Sequence, residues 1–128
     1  AKGMCVGPQN AEETEQTYDT LDKQMDDPYS IYNFVKQTIS IRNAFPEIAR
    51  GTNTFEKDLS NENVCIFTRE YNGEKAVLVF NPSKDEASVD VSSLGINDAV
   101  AMLQTTKKAP SYKDGTAKLP AYSVLVLK

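Results

Sequence analysis

Residues 27–51 form the one long stretch with convincing helical periodicity, and they separate an acidic lead-in from a longer run of strand-like segments. Asp27 is a good N-cap, and Pro28 suits the first helical position, where its missing N–H leaves no bond unmade. Ser30 is a rival N-cap. Pro46 cannot continue the helix and biases Phe45 away from helical dihedrals, while Gly51 closes a short following turn. The spacing predicts a helix from about Pro28 to Ala44.

At about 100° per residue, Ile31, Tyr32, Phe34, Val35, Ile39, Ile41 and Phe45 fill roughly half the circumference. Asn33, Lys36, Gln37, Ser40 and Asn43 lie opposite. This arc is wide for a helix packed on one side only, and it predicts contact with two layers. Either the β-rich C-terminal half covers both flanks, or one covering layer lies outside this chain. Arg42 sits near the middle of the arc. It is either a buried ion-pair or hydrogen-bonding anchor, or a surface arginine whose stem lies over apolar neighbours.

With 128 residues, 40% of them hydrophobic and 25% charged, the chain can bury a real core as one globular domain with an appended segment. A net charge of −4, without a Lys/Arg cluster beyond Lys107-Lys108, argues against a nucleic-acid partner. The absence of histidine excludes a Ser-His-Asp triad, a Cys-His dyad and any His-containing zinc site. Cys5 and Cys65 either pair or act as small apolar fillers. No membrane span is expected, because the longest apolar runs, Ala76–Phe80 and Val124–Leu127, have strand length. The opening Ala-Lys-Gly is not a translational start, which points to a piece of something longer.

Residues 1–26 hold Gly7-Pro8, then Glu12, Glu13, Glu15, Asp19, Asp22 and Asp26, without apolar periodicity, and are read as loop. The spacing and central glycine of a calcium loop are absent, so a solvated acidic surface is expected there. After Gly51 short strands alternate with turn signals. A weak strand is expected over Thr52–Leu59, and a strong one over Val64–Tyr71. Asn72-Gly73 is the preferred type I′ hairpin dipeptide, and Glu74–Phe80 is apolar on both faces, as a central strand should be. Ala87, Val89 and Val91 alternate with Ser88, Asp90 and Ser92, the pattern of a half-buried outer strand. Ala99–Thr105 and Thr116–Leu119 follow, the latter after a Lys113-Asp114-Gly115 turn. Tyr122–Lys128 closes the chain with Tyr122, Val124 and Val126 on one face. The class is mainly β: an antiparallel, Greek-key-like sandwich of about six to seven strands preceded by one long helix.

In this order the residues resemble the C-terminal end of an α-amylase-family enzyme of glycoside hydrolase family 13. The helix resembles that family's last barrel helix through Asp27-Pro28, Ser30-Ile31, Asn33-Phe34, Lys36, Ile39, Ile41-Arg42, Pro46 and Gly51, with Gln24 in the preceding loop. Val64–Phe67 with Arg69, then Gly73 to Asn81-Pro82-Ser83, resembles the family's hairpin ending in Asn, and Leu119–Leu127 its closing strand. The resemblance implies a lead-in over residues 1–26, a barrel helix over 27–51 and a β-sandwich domain over 52–128. One helix flank would then pack on a (β/α)8 barrel absent from this chain, with Arg42 as an anchor at that junction.

For chemistry the resemblance implies a loss, since the family's three catalytic carboxylates and its calcium ligands belong to the barrel. A retaining glycosidase needs two carboxyls about 5–5.5 Å apart across the scissile bond. Asp26-Asp27 and Asp85-Glu86 are merely adjacent acids in turns. No catalytic residue, metal or cofactor is therefore assigned. The expected role is that of an accessory domain of an α-glucan-hydrolysing enzyme. Two other readings stand beside it. One is a carbohydrate-binding module with Tyr71 and Tyr112, which flank turns, as weak α-glucan contacts. The other is an immunoglobulin-like interaction module, which leaves the helix unexplained and lacks the Cys-Trp-Cys arrangement. An uncovered helix flank would also favour dimers.

Overall fold

A computed structural model describes residues 17–128. The glutamates at 12, 13 and 15, and Cys5, on which the choice between pairing and apolar filler turns, lie outside the described residues. Three helices come first: α1 (Leu21–Asp26), α2 (Ile31–Ala44) and α3 (Pro46–Arg50). Eight strands follow: β1 (Thr52–Phe55), β2 (Cys65–Tyr71), β3 (Glu74–Asn81), β4 (Ala87–Asp90), β5 (Ala99–Leu103), β6 (Ser111–Lys113), β7 (Thr116–Leu119) and β8 (Ser123–Leu127). They form two antiparallel sheets, ordered β1-β2-β3-β8-β5 and β4-β7-β6. The expected mainly β sandwich is observed.

Strand alternation explains how the sheets meet. Ile66, Val77, Val79, Leu125 and Leu127 of the larger sheet point inward against Ala117 and Leu119 of the smaller one, with Val64, Val91 and Ile96 filling the rim. The opposite face of the larger sheet carries Phe55, Phe67 and Phe80 in a row, with ring centroids 5.3 and 5.9 Å apart. β8 is buried along its whole length, because β3 and β5 flank it. The expected Asn72-Gly73 hairpin forms, and the expected turn at Lys113-Asp114-Gly115 closes a second hairpin. Asn72-Gly73 (φ 52° and 84°) and Asp114-Gly115 (φ 49° and 80°) adopt the left-handed dihedrals that a type I′ turn requires.

Asn81 is the buried polar joint of the sandwich. Its Nδ2 donates to Asp85 O, Leu119 O and Pro120 O, and its Oδ1 accepts from the Ser83 N–H and hydroxyl. This ties the end of β3 to the end of β7 and to the turn before β8. Arg69, on the outer face of β2, donates to the carbonyls of Glu47 (3.4 Å) and Ile48 (3.0 Å) and so caps the last turn of α3.

Several expectations need correction. Residues 21–26 are helical rather than loop, with the Gln24 N–H bonded to Thr20 O. The rival cap wins at α2, which starts at Ile31. Ser30 Oγ accepts from the Asn33 N–H, while Asp27 Oδ1 accepts from the Tyr29 N–H and holds the turn that joins α1 to α2. The first strand stops at Phe55, because Glu56 O accepts from the Leu59 and Ser60 N–H groups and begins a turn. β6 was not anticipated, since three residues of SYK carry too little pattern. Tyr122 does not open the closing strand on one face with Val124 and Val126. It has φ 50°, is 52% exposed and sits in the turn, so that the closing strand begins at Ser123.

Candidate functional site

α2 buries no residue fully. Tyr32, Phe34 and Ile41 are half-buried, whereas Ile31, Val35 and Ile39 are exposed by 50%, 49% and 54%. These three recur every four residues and so form one row along the helix. Leu21 (60%) and Met25 (54%) on α1, with Tyr18 (64%) just before it, are also exposed apolar side chains. A groove of about 490 Å³ runs along the row, lined by Gln24, Ile31, Tyr32, Val35 and Ile39 among others. The wide apolar arc is thus real, but the sandwich covers only one side of it.

The row is held on a rigid bracket. The Asn33 amide donates to Gln24 O, Met25 O and Asp27 O, at 3.0, 3.1 and 2.8 Å. Ser30 Oγ donates to Gln24 O, and Gln24 Oε1 accepts from the Tyr32 N–H. Each bond satisfies a backbone group that a helix end would otherwise leave to water. An apolar surface held this way loses little conformational freedom when covered. Sequence reasoning missed this role of Asn33, which it placed on the polar face. The signal was a short amide side chain three residues after the cap.

Arg42 is exposed, and it has no ion pair or side-chain hydrogen bond among the described residues. By helical geometry it continues the row of Ile31, Val35 and Ile39 at its C-terminal end, placing one cation at the rim of the apolar surface.

Tyr71 and Tyr112 lie in separate places. Tyr71 ends β2, opposite Glu74, in a groove with Thr52, Glu70, Asn72 and Lys75. Tyr112 is half-buried on β6, packs against the core and donates its hydroxyl to Ile96 O at 2.9 Å. It lines a groove with Lys113, Asp114, Thr116 and Lys118. The two rings build no shared platform.

The two pairs of adjacent acids, Asp26-Asp27 and Asp85-Glu86, lie at the surface. The Lys108 ammonium beside Glu86 holds its carboxyl below the usual range, the opposite of what a general acid needs. Among the described residues no three His, Cys, Asp or Glu side chains stand close enough to hold a metal ion, and no helix is long and apolar enough to cross a membrane.

A family model described as the maltogenic amylase C-terminal domain matches residues 58–126, from the approach to β2 through β8. Among solved structures, Amy13B of Eubacterium rectale superposes with a TM-score of 0.93 at 95% identity, covering 100% of this chain and 25% of that one. Trehalulose synthase MutB from Pseudomonas mesoacidophila MX-45 superposes with a TM-score of 0.68 at 25% identity, covering 84% of this chain and 19% of that one. XgtA, an alpha-glucosyl transfer enzyme, shares the fold with a TM-score of 0.63 at 22% identity, with the same 84% and 19% coverage. No curated protein sequence matches. The chain therefore spans a quarter of the length of Amy13B and about a fifth of the length of the other two.

Proposed function

The chain belongs to the maltogenic amylase C-terminal domain family and is the C-terminal domain of an α-amylase-family enzyme of glycoside hydrolase family 13; from that premise we propose that it is an accessory, non-catalytic domain. Its parent would hydrolyse α-glucans such as starch or maltooligosaccharides with carboxylates in a (β/α)8 barrel. The exposed face of α1 and α2 would pack on that barrel. The observation that carries this reading is the row of Ile31, Val35 and Ile39, half exposed on a hydrogen-bonded bracket that offers it outward. Each such side chain gains about 1.5–3 kcal/mol when burial is completed from full exposure, and about half of that remains available here. Arg42, at the rim, would meet a carboxylate or a carbonyl of the barrel.

The experiment is removal of this domain from the longer enzyme. The expected result is a melting temperature lower by several degrees, with aggregation through the uncovered barrel surface. A shortened enzyme with unchanged melting temperature and solubility would sink the reading.

The groove at Tyr112 supports a subordinate reading, weak α-glucan contact. A ring fixed by its hydroxyl and rimmed by Lys113, Asp114 and Lys118 offers a rigid apolar face beside polar partners. An NMR titration with maltoheptaose tests it. Saturable amide shifts on β6 that vanish in Tyr112→Ala support it, and flat spectra refute it. New anomeric signals would overturn the assignment as non-catalytic.

A further inference from the structure

The joint between helices and sandwich is built around one buried carboxylate. Glu47, in the first turn of α3, is 2% exposed. Lys128, which follows β8, places its ammonium 2.6 Å from Glu47 Oε1. At this distance the ammonium is within hydrogen-bond reach of the carboxylate, and because Glu47 is buried the pair is less screened than one on the open surface. The same ammonium stands 3.3 Å from Glu74 Oε2 and 5.9 Å from the centre of the Phe45 ring. Phe45 is the residue that ends α2 and starts α3. Lys128 is itself fixed by its backbone. Its N–H donates to Asp98 O, and its carbonyl accepts from the Asn97 and Asp98 N–H groups.

Among the described residues no hydrogen bond or ion pair ties α2 to the strands, its polar ties running to α1 and within itself. No residue of it is fully buried, and a cleft of about 360 Å³ opens between its start and the sheet, lined by Tyr29, Phe34, Phe80 and Val124 among others. At its far end Lys128 grips the α2–α3 elbow and Arg69 holds the two α3 carbonyls. We propose that α3, gripped by Lys128 through Glu47 and by Arg69 through its carbonyls, is a clasp that fixes the direction of α2 on the sandwich. Opening the clasp frees the helices while the sandwich stays folded. This device concerns the chain alone and does not depend on the docking reading above.

Amide hydrogen exchange on the whole chain tests it, with Glu47→Gln and Lys128→Met as variants. The amides of Phe45, Ile48, Ala49 and Gly51, which close the elbow and α3, should exchange about tenfold faster in both variants. Amides of β3 and β8 should keep their rates, and the double variant should add little to either single one, because both singles break the same contact. If Glu47→Gln does not fold, Lys128→Met still gives the reading, since an unpaired Glu47 can take up a proton. Unchanged elbow rates would overturn the clasp. So would equal acceleration throughout the sandwich, or failure of both variants to fold, because either would make the pair a support of the whole domain.

Discussion

A Cβ added at Gly51 would lie 2.3 Å from Glu47 O and 2.8 Å from Glu70 O, both backbone atoms that cannot give way cheaply. The φ of Gly51 is an ordinary −68°, so the requirement is one of space and not of dihedral freedom. Gly51→Ala should therefore destabilise the chain by about 2–4 kcal/mol, read as a lower urea midpoint with little change in slope. A value below about 0.5 kcal/mol would show that α3 can lift off β2 freely. Gly51 was visible in the sequence as a stop signal, but the reason for it was not, since the crowding comes from Glu70 on another element. The same holds for Glu47 and Lys128. Neither stands out in a chain that is a quarter charged, and only the fold brings them together. Arg42 drew the eye because it interrupts an apolar arc. Arg69 does so too, on the outer face of a strand with Cys65 and Phe67, and there the structure provides partners.

Among the elements, α2 and α3 differ in what holds them. Ser30 caps α2 and Asp27 holds only the preceding turn, so Ser30→Ala should cost about 1 kcal/mol and Asp27→Ala clearly less, as compared by thermal unfolding. The reverse order would restore the longer helix expected from Pro28. α3 depends on charge, and its stability should follow pH. Burial alone would push the Glu47 carboxyl up, but the Lys128 ammonium and a backbone N–H outweigh it and hold the group below the ordinary 4.5. Its contribution is present at neutral pH and is lost as pH falls through and below that value. Glu47 in turn raises Lys128 above its ordinary 10.5, so on the alkaline side stability is lost as pH rises through and beyond that value. Arg69 and Glu74 are the other charged groups that face this pair or its element. Urea midpoints measured from pH 7 to pH 3 should fall less steeply for Glu47→Gln than for the natural chain. Parallel profiles would remove Glu47 from the acid transition. The strands were the most legible elements, because period-two alternation and the Asn-Gly and Asp-Gly dipeptides act locally. α1 and β6 were hidden, since each is short and owes its place to neighbours: the Asn33 amide for α1 and the β7 pairing for β6.

At the scale of the whole molecule, the question is which surfaces belong to the chain's own stability and which are offered outward. The inner faces of the two sheets close on each other, whereas Ile31, Val35 and Ile39 on α2 keep about half their surface exposed. The sequence announced this imbalance through the width of the apolar arc, yet it could not say which flank the sandwich would take, because that depends on how α3 turns the chain. Substituting two residues of the row separates the alternatives. Val35→Lys with Ile39→Lys should change the stability of the chain alone by no more than about 0.5 kcal/mol per site, as expected for half-exposed helix positions with good helix formers. In the longer enzyme the same pair should lower the melting temperature by several degrees, because two ammonium groups would have to be buried or the interface opened. Differential scanning calorimetry of both forms makes the comparison. A large loss in the chain alone would mean that the row packs within this domain, perturbing the cleft beside Phe34. No loss in either form would leave the row as ordinary exposed surface. If the natural chain self-associates when isolated and the variant does not, the row is the sticky surface, and in the longer enzyme that surface has a cover.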